Sequence, residues 1–380
     1  MQTDTLKEEM LIDNPYESLR SQTKAKVWDY IVREKILPGS KIPSVREIGE
    51  AIGVSRATAG KAIVEMVNDG LLSSQPRKGV YVKSLVESTF SKLEVVYCLI
   101  ESGSTLKGAA IDYLARNPFW SNILVGVRNS ASRYEDLKLR VSFLEDFIAE
   151  ENVTPRGRRW DNVGFIICGD PHRECWTQIL SLNVPVVLIN GVSRAKNVTT
   201  ININCAKGVE MLVDHLVNLG HSCIGYCGPI EPQHKNSYQK YKGYISAITN
   251  HNLDIDYGKY VKNCNFGLED GYNAVASLLR NKDKPTALLF VNDETAIGGM
   301  RAVCDAGLSI PKDISIAGFD NILSSNYTIP SLTTISSKMV EMGEMGVQKL
   351  FDAHKDRLAE PEIFTLKPEL IVRESTGPLI

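Results

Sequence analysis

The chain has 380 residues, 43% of them hydrophobic and 23% charged, with a net charge of −2. That length makes about two or three domains, and the composition suits a globular chain with sizeable cores. Taken whole, so small a net charge argues against nucleic acid, an anionic membrane or an acidic substrate as partner.

No apolar run approaches the ~20 residues that span a bilayer. The opening MQTDTLKEEM lacks the basic-then-apolar pattern of a signal peptide. Eight scattered cysteines form no C-x-x-C pair, and six histidines show no metal-ligand spacing. A disulfide framework, a metal site and a cofactor are therefore not expected, and a cytoplasmic setting is.

In chain order, residues 1–17 lack apolar periodicity and read as a tail. The charge then turns uneven. Residues 20–83 hold 12 Lys and Arg against 6 Asp and Glu, whereas residues 84–380 hold 30 against 34. A basic module ahead of a mildly acidic body points to nucleic acid in one segment only.

Within that module, Val27, Tyr30 and Ile31 recur at helical spacing, and Pro38-Gly39 stops the run. Ser44-Val45-Arg46-Glu47 is a capping box. It starts a second helix expected to bury Val45, Ile48, Ala51 and Ile52 and to end at Gly53. Ser55 is the N-cap of a third helix with Ala62, Ile63, Met66 and Val67 on one face. Extended pieces at 71–75 and 80–82 flank a turn at Pro76-Arg77-Lys78-Gly79.

Three helices, a three-residue turn and a two-stranded wing make a winged helix-turn-helix over residues 18–83. Ser55, Arg56, Thr58 and Lys61 then lie near the start of the recognition helix. A helix N-terminus and small hydroxyls suit phosphate, and long cations suit phosphate or guanine edges. Arg77 and Lys78 at the wing tip reach an adjacent groove or the backbone. The plainer alternative is that all of these are solvated polar positions of a small helical domain. Ala59-Gly60-Lys61-Ala62 echoes a phosphate-binding P-loop, but Ser55 stands where that motif needs Gly and Ala62 where it needs Ser or Thr.

The run PGSKIPSVREIGEAIGVSRATAGKAIVEMVNDGLL and the following RKGVYV resemble the GntR-type winged helix. The resemblance implies that Ser44, Arg46, Ser55, Arg56, Thr58 and Gly79 contact or face double-stranded DNA. It also shows a departure. The family often has Arg where this chain has Gly60, which reduces base reading there or moves it to Lys61 or the wing.

After a polar link at 84–92, short apolar runs alternate with amphipathic segments. Strands are expected at Val95–Ile100, 137–141, Val163–Cys168, Val186–Ile189, Ile224–Cys227, 287–291 and 314–317. Helical periodicity is clearest at 208–219, 267–279 and 294–306. This alternation argues parallel sheets covered on both faces, and the length of 93–380 argues two α/β lobes. Ligands bind beyond the carboxyl ends of such strands, so two lobes place those ends around one cleft. No G-x-S-x-G, H-E-x-x-H or post-strand G-x-G-x-x-G occurs, and no enzyme activity is expected.

The segments NPFW, LVNLGHSCIGYCGP, K-x-x-GY, PTALLFVNDETAIGGMRAVCDAGLSIPKDISIAGFDN and PSLTTI resemble the effector domain of LacI/GalR-type repressors, which is similar to periplasmic sugar-binding proteins. Together the halves resemble regulators such as the bacterial arabinose repressors. The resemblance implies a two-lobed periplasmic-binding-protein-like domain whose pocket is lined by Phe119, Trp120, Asn190, Lys240, Phe266, Asn292 and Asp320. Asn190 stands where the family usually has Asp, and Lys240 where most members have Arg. A flexible point charge suits bidentate capture less well than a planar fork, leaving neutral and phosphorylated sugars both tolerable.

Plainer roles stand beside these. Phe119 and Phe266 would be core aromatics, Lys240 a surface lysine of its helix, and Asp320 a turn with Asn321.

The expected function is a ligand-responsive transcription regulator, a dimeric repressor of a carbohydrate-use operon released by a monosaccharide such as a pentose or deoxyhexose. A corepressor or phosphosugar response, a pyridoxal-phosphate enzyme fusion and a sugar-transport binding protein are the alternatives.

Overall fold

The computed structural model describes residues 19–34, 36, 39–68, 71–75, 78–82, 93–101, 114, 117–150, 160, 162–182, 184–193, 195, 198–254, 256–355 and 360–379. The expected tail at 1–17, the link at 84–92 and the wing residue Arg77 lie outside them. The chain divides into two units, Met1–Ser91 and Lys92–Ile380.

The first unit runs α1 (Leu19–Arg33), α2 (Val45–Ile52), α3 (Arg56–Asn68), β1 (Leu72–Gln75) and β2 (Gly79–Val82). Ser44 caps α2, its side chain accepting from the Glu47 N–H while the Glu47 carboxylate accepts from the Ser44 N–H. Gly53 ends that helix at φ +72°, a left-handed turn that glycine adopts without steric cost. The core gathers Val27, Ile31, Ile42, Ile48, Ala62, Ile63, Met66, Leu72 and Val82.

Ala51 is exposed, against expectation, and Gly49 is buried in its place. The inward stripe of α2 follows 45, 48, 49 and 52, and Ala51 falls off it. The wing is antiparallel, pairing Leu72 with Val82 and Gln75 with Gly79. Residues 39–42 add a third edge that the sequence pattern did not announce. Ile42 donates to Val80 O (2.9 Å) and Val82 donates to Ser40 O (2.9 Å).

The second unit holds two α/β lobes. The first begins with β3 (Val95–Ile100), α4 (Pro118–Ala131), β4 (Lys138–Phe143), α5 (Leu144–Glu150), β5 (Val163–Cys168), α6 (Arg173–Ser181), β6 (Val186–Ile189) and β7 (Thr199–Ile203). The chain then builds the second lobe with α7 (Cys205–Asn218), β8 (Ile224–Cys227), α8 (Lys235–Asn250), α9 (Tyr257–Tyr260), β9 (Val261–Lys262), α10 (Leu268–Leu278), β10 (Ala287–Phe290), α11 (Asp293–Asp305), β11 (Ser315–Ala317) and β12 (Thr334–Ser336). It returns through α12 (Met339–Lys355), which packs on α4, to β13 (Ile363–Leu366), and crosses again to β14 (Glu369–Ile371).

The six-stranded parallel sheet of the first lobe has the order β13-β7-β6-β5-β3-β4, and the four-stranded parallel sheet of the second has β11-β10-β8-β9. A short antiparallel pair joins β12 and β14. Every residue of β5, β6, β8 and β10 is buried. That is why their sequences read as unbroken apolar runs: helices cover both faces.

Candidate functional site

In the first unit, α3 projects polar groups from its amino end. Ser55 Oγ accepts from the Thr58 N–H (3.1 Å) and lies 2.8 Å from Thr58 Oγ1, so the two hydroxyls form the cap. Arg56 and Lys61 are exposed, as are Ser44 and Arg46, the last paired with Glu50 (2.9 Å) one turn along α2. A Cβ at Gly60 would lie 3.4 Å from Val45 of α2. On the wing, Lys78 is exposed, and Gly79 has φ +123°, which a side chain would strain. The first two turns of α3 thus carry hydroxyls and exposed cations, an arrangement suited to phosphate.

In the second unit, the polar residues gather around α8. Lys240 on its second turn is 8% exposed. Its Nζ donates to Val291 O (2.7 Å), lies 3.6 Å from Asp320 Oδ1 and sits 3.8 Å from the centre of the Phe319 ring. The surface-lysine reading therefore fails.

Asp320, 6% exposed, follows β11 at φ +111°, and Asn321 follows at φ +56°. Burial pushes the Asp320 carboxyl up, while Lys240 opposes the shift. Among the described residues, Asp320 Oδ1 has no hydrogen-bond partner, and neither has the buried Tyr226 hydroxyl on β8. Asn292 caps α11, its Oδ1 accepting from the Thr295 N–H (2.8 Å), while its amide donates to Phe266 O (3.0 Å). Phe266 is itself exposed rather than a core aromatic, and its ring meets His234 edge-on at 5.8 Å.

Asn190 joins this set from the first lobe. It follows β6 at φ +56°, and its carbonyl and Oδ1 each accept from the Asn236 amide at 2.8 Å. Phe119 and Trp120 occupy the first turn of α4, ring to ring at 4.8 Å, half-buried against the first-lobe core. Among the described residues, no hydrogen bond, ion pair or ring contact ties those two to the α8 set.

The sequence reading missed Asp293. It is wholly buried at the start of α11, accepting from Ile322 N–H (2.8 Å) and Thr334 Oγ1 (2.5 Å). Burial pushes its carboxyl up to about 8. Its signal was the Asn-Asp pair directly after an apolar strand, of which only the asparagine was singled out. Asp170, Lys235 and Asn236 were missed too, and they carry no distinguishing motif.

Residues 19–82 match the gntR family of bacterial regulatory proteins, and residues 213–376 match the periplasmic binding protein-like domain. A probable HTH-type transcriptional repressor, ExuR of Bacillus subtilis (strain 168), is 31% identical over 69% of this chain and 77% of its own length. The chain belongs to the HTH-type transcriptional repressors. Within that family it carries a GntR-type head on a periplasmic-binding-protein-like body.

The arabinose metabolism transcriptional repressor of Geobacillus stearothermophilus is 26% identical over 93% of this chain and 96% of its own. A LacI family regulator of Enterococcus faecium, solved with bound ribose, superposes with a TM-score of 0.63 at 24% identity. It covers 75% of this repressor and 100% of that chain, a likeness of fold. Among the described residues, no helix is long and apolar enough to cross a membrane.

Proposed function

We propose that this repressor is a sugar-responsive switch on a carbohydrate-use operon. Its head holds operator DNA through Arg56, Lys61 and the wing, and its cleft residues Asn190, Lys240, Phe266, Asn292 and Asp320, with Phe119 and Trp120 at the rim, take the sugar. The observation that carries this reading is the pre-placed polar set, Lys240 and Asp320 buried and Asn190 and Asn292 half-buried, gathered near the carboxyl ends of both lobes' strands. Sugar recognition must replace ordered water with donors and acceptors already in position. The names of the arabinose-metabolism repressor and the ribose-bound regulator support a sugar as effector.

Two of the cleft lysines already have acidic partners, Lys235 with Asp170 and Lys240 with Asp320. That favours a neutral sugar over a phosphorylated one. Closure of the lobes around it changes the spacing of two heads in a homodimer, so that both no longer fit a palindromic operator. Leu323 (76% exposed), Tyr327 (73%) and Ile329 (94%) form an apolar stretch of the second lobe suited to a second copy of the chain.

The test is one sample and two measurements. Neutral monosaccharides, D-ribose and L-arabinose first, are titrated by calorimetry. The tightest binder is then added to the protein on its own upstream DNA at fixed salt. At least tenfold weaker DNA binding is expected, and a DNA affinity untouched by every sugar overturns the reading.

A further inference from the structure

Helix α8 touches the first lobe as well as its own. On its first turn, Lys235 Nζ lies 2.7 Å from Asp170 Oδ1, and Asn236 donates to both oxygens of Asn190. Asp170 and Asn190 follow β5 and β6, at the first-lobe edge of the cleft. Both partners are held in place. Asp170 Oδ1 also accepts from the Val192 N–H (3.3 Å), and the left-handed backbone of Asn190 turns its carbonyl toward the same amide that its side chain meets. The residue before them, His234, stands against Phe266, and Lys240 on the next turn reaches the cleft floor. One rigid helix therefore holds the rim contact and the floor contact about one turn apart.

We propose that Lys235 and Asn236 are positioning residues: a latch between the lobes that sets the open–closed balance and hence how much sugar is needed for release. The proposal rests on the reading that the sugar binds between the lobes. Contacts made only in the closed form shift the balance toward it whatever ligand is present. An effector that binds the closed form then has its apparent affinity scaled by the closed fraction. Neither residue has to touch the sugar. The paired Asp170 and Lys235 charges, both partly exposed, and the two neutral asparagine contacts are separable contributions.

Hydrogen–deuterium exchange on the full chain, with no sugar added, tests the latch directly. Lys235→Glu sets two like charges face to face, and Asn236→Ala removes both asparagine bonds. In each variant, peptides from the first-lobe edge (166–170 and 188–193) and from the second-lobe edge (262–268) are expected to exchange at least fivefold faster together. Adding Asp170→Lys to Lys235→Glu restores the charge pair and is expected to restore protection. Faster exchange confined to 232–239 would show that these residues only start a helix, and would overturn the proposal. So would a charge-swapped protein no better protected than the single variant.

A second arm separates this idea from the one beneath it. Calorimetry with D-ribose and L-arabinose is expected to show three- to tenfold weaker binding by Asn236→Ala. Wild-type protein that binds neither these nor any other sugar defeats the sugar reading, while the exchange data still judge the latch.

Discussion

The head and the sensor handle charge in opposite ways. In the head, Arg46, Arg56, Lys61 and Lys78 stand in solvent, and among the described residues the only ion pair they make is the helical one from Arg46 to Glu50. In the sensor, Lys240, Asp320 and Asp293 lie buried, each against a named partner. A polyanion brings dense charge to a surface and is gripped by displacing counterions, so exposed cations serve it. A small polar ligand must be distinguished from water, and that needs groups fixed in a low-dielectric site before it arrives. Substitutions should therefore cost binding in the first region and folding in the second.

The contrast breaks most visibly at Lys240. Lys240→Met leaves the buried Asp320 carboxylate unpaired and is expected to destabilise the sensor by about 3–5 kcal/mol in denaturant unfolding. Adding Asp320→Asn should recover much of that loss; no recovery would mean that packing over Phe319 dominates.

Asp293 supplies the next effect, through pH. Its folded carboxyl is raised to about 8 from an ordinary 3.8, so the folded state holds the proton that the unfolded chain gives up. This contribution is fully present below about pH 4 and is lost as pH rises through 8. Stability should fall by on the order of 1 kcal/mol per pH unit between pH 6 and 8. Asp293→Asn should flatten that slope.

On the head the effects move to DNA. Arg56→Ala should weaken operator binding by about 1–3 kcal/mol with unchanged sugar affinity, measured by fluorescence anisotropy. Loss of both would place Arg56 in the fold rather than on the DNA face. Ser55→Ala should cost about 1 kcal/mol of stability, since it removes the cap of α3. Smallest of all, Glu50→Ala breaks the exposed pair with Arg46 and should change stability by less than ~0.5 kcal/mol.

How much of this was legible in the sequence follows the same divide. Strands β3, β5, β6 and β8 were placed to the residue, because sheets covered on both faces demand apolar runs that end where the cover ends. The capping box at Ser44 and the turn before Arg56 were equally local. The edge strand β13 with its alternating exposure, the short β14, and β7, whose apolar residues are interrupted by Thr and Asn, carried no such run and went unread.

At the cleft, a long family string located Asn292 and Asp320 and the short K-x-x-GY segment located Lys240, but not their partners. That Lys240 faces Val291 O, and that Asn236 meets Asn190 from the other lobe, depends on crossings separated by about 50 residues. Asp293 lay hidden because an acidic residue at a helix start usually faces solvent.

The path of the chain through the sensor bears on how the protein comes into being. The first lobe opens with β3, yet its six-stranded sheet is closed at one edge by β13, and the second lobe's short pair waits for β14 at 369–371. A ribosome delivers these strands last. The head, by contrast, draws its whole core from residues 27–82. During synthesis a reader with its full set of cations emerges well before the sensor that governs it can close either lobe. In the nascent protein the DNA-reading surface is complete first, and the two lobes that govern it are completed only by the strands at 363–371.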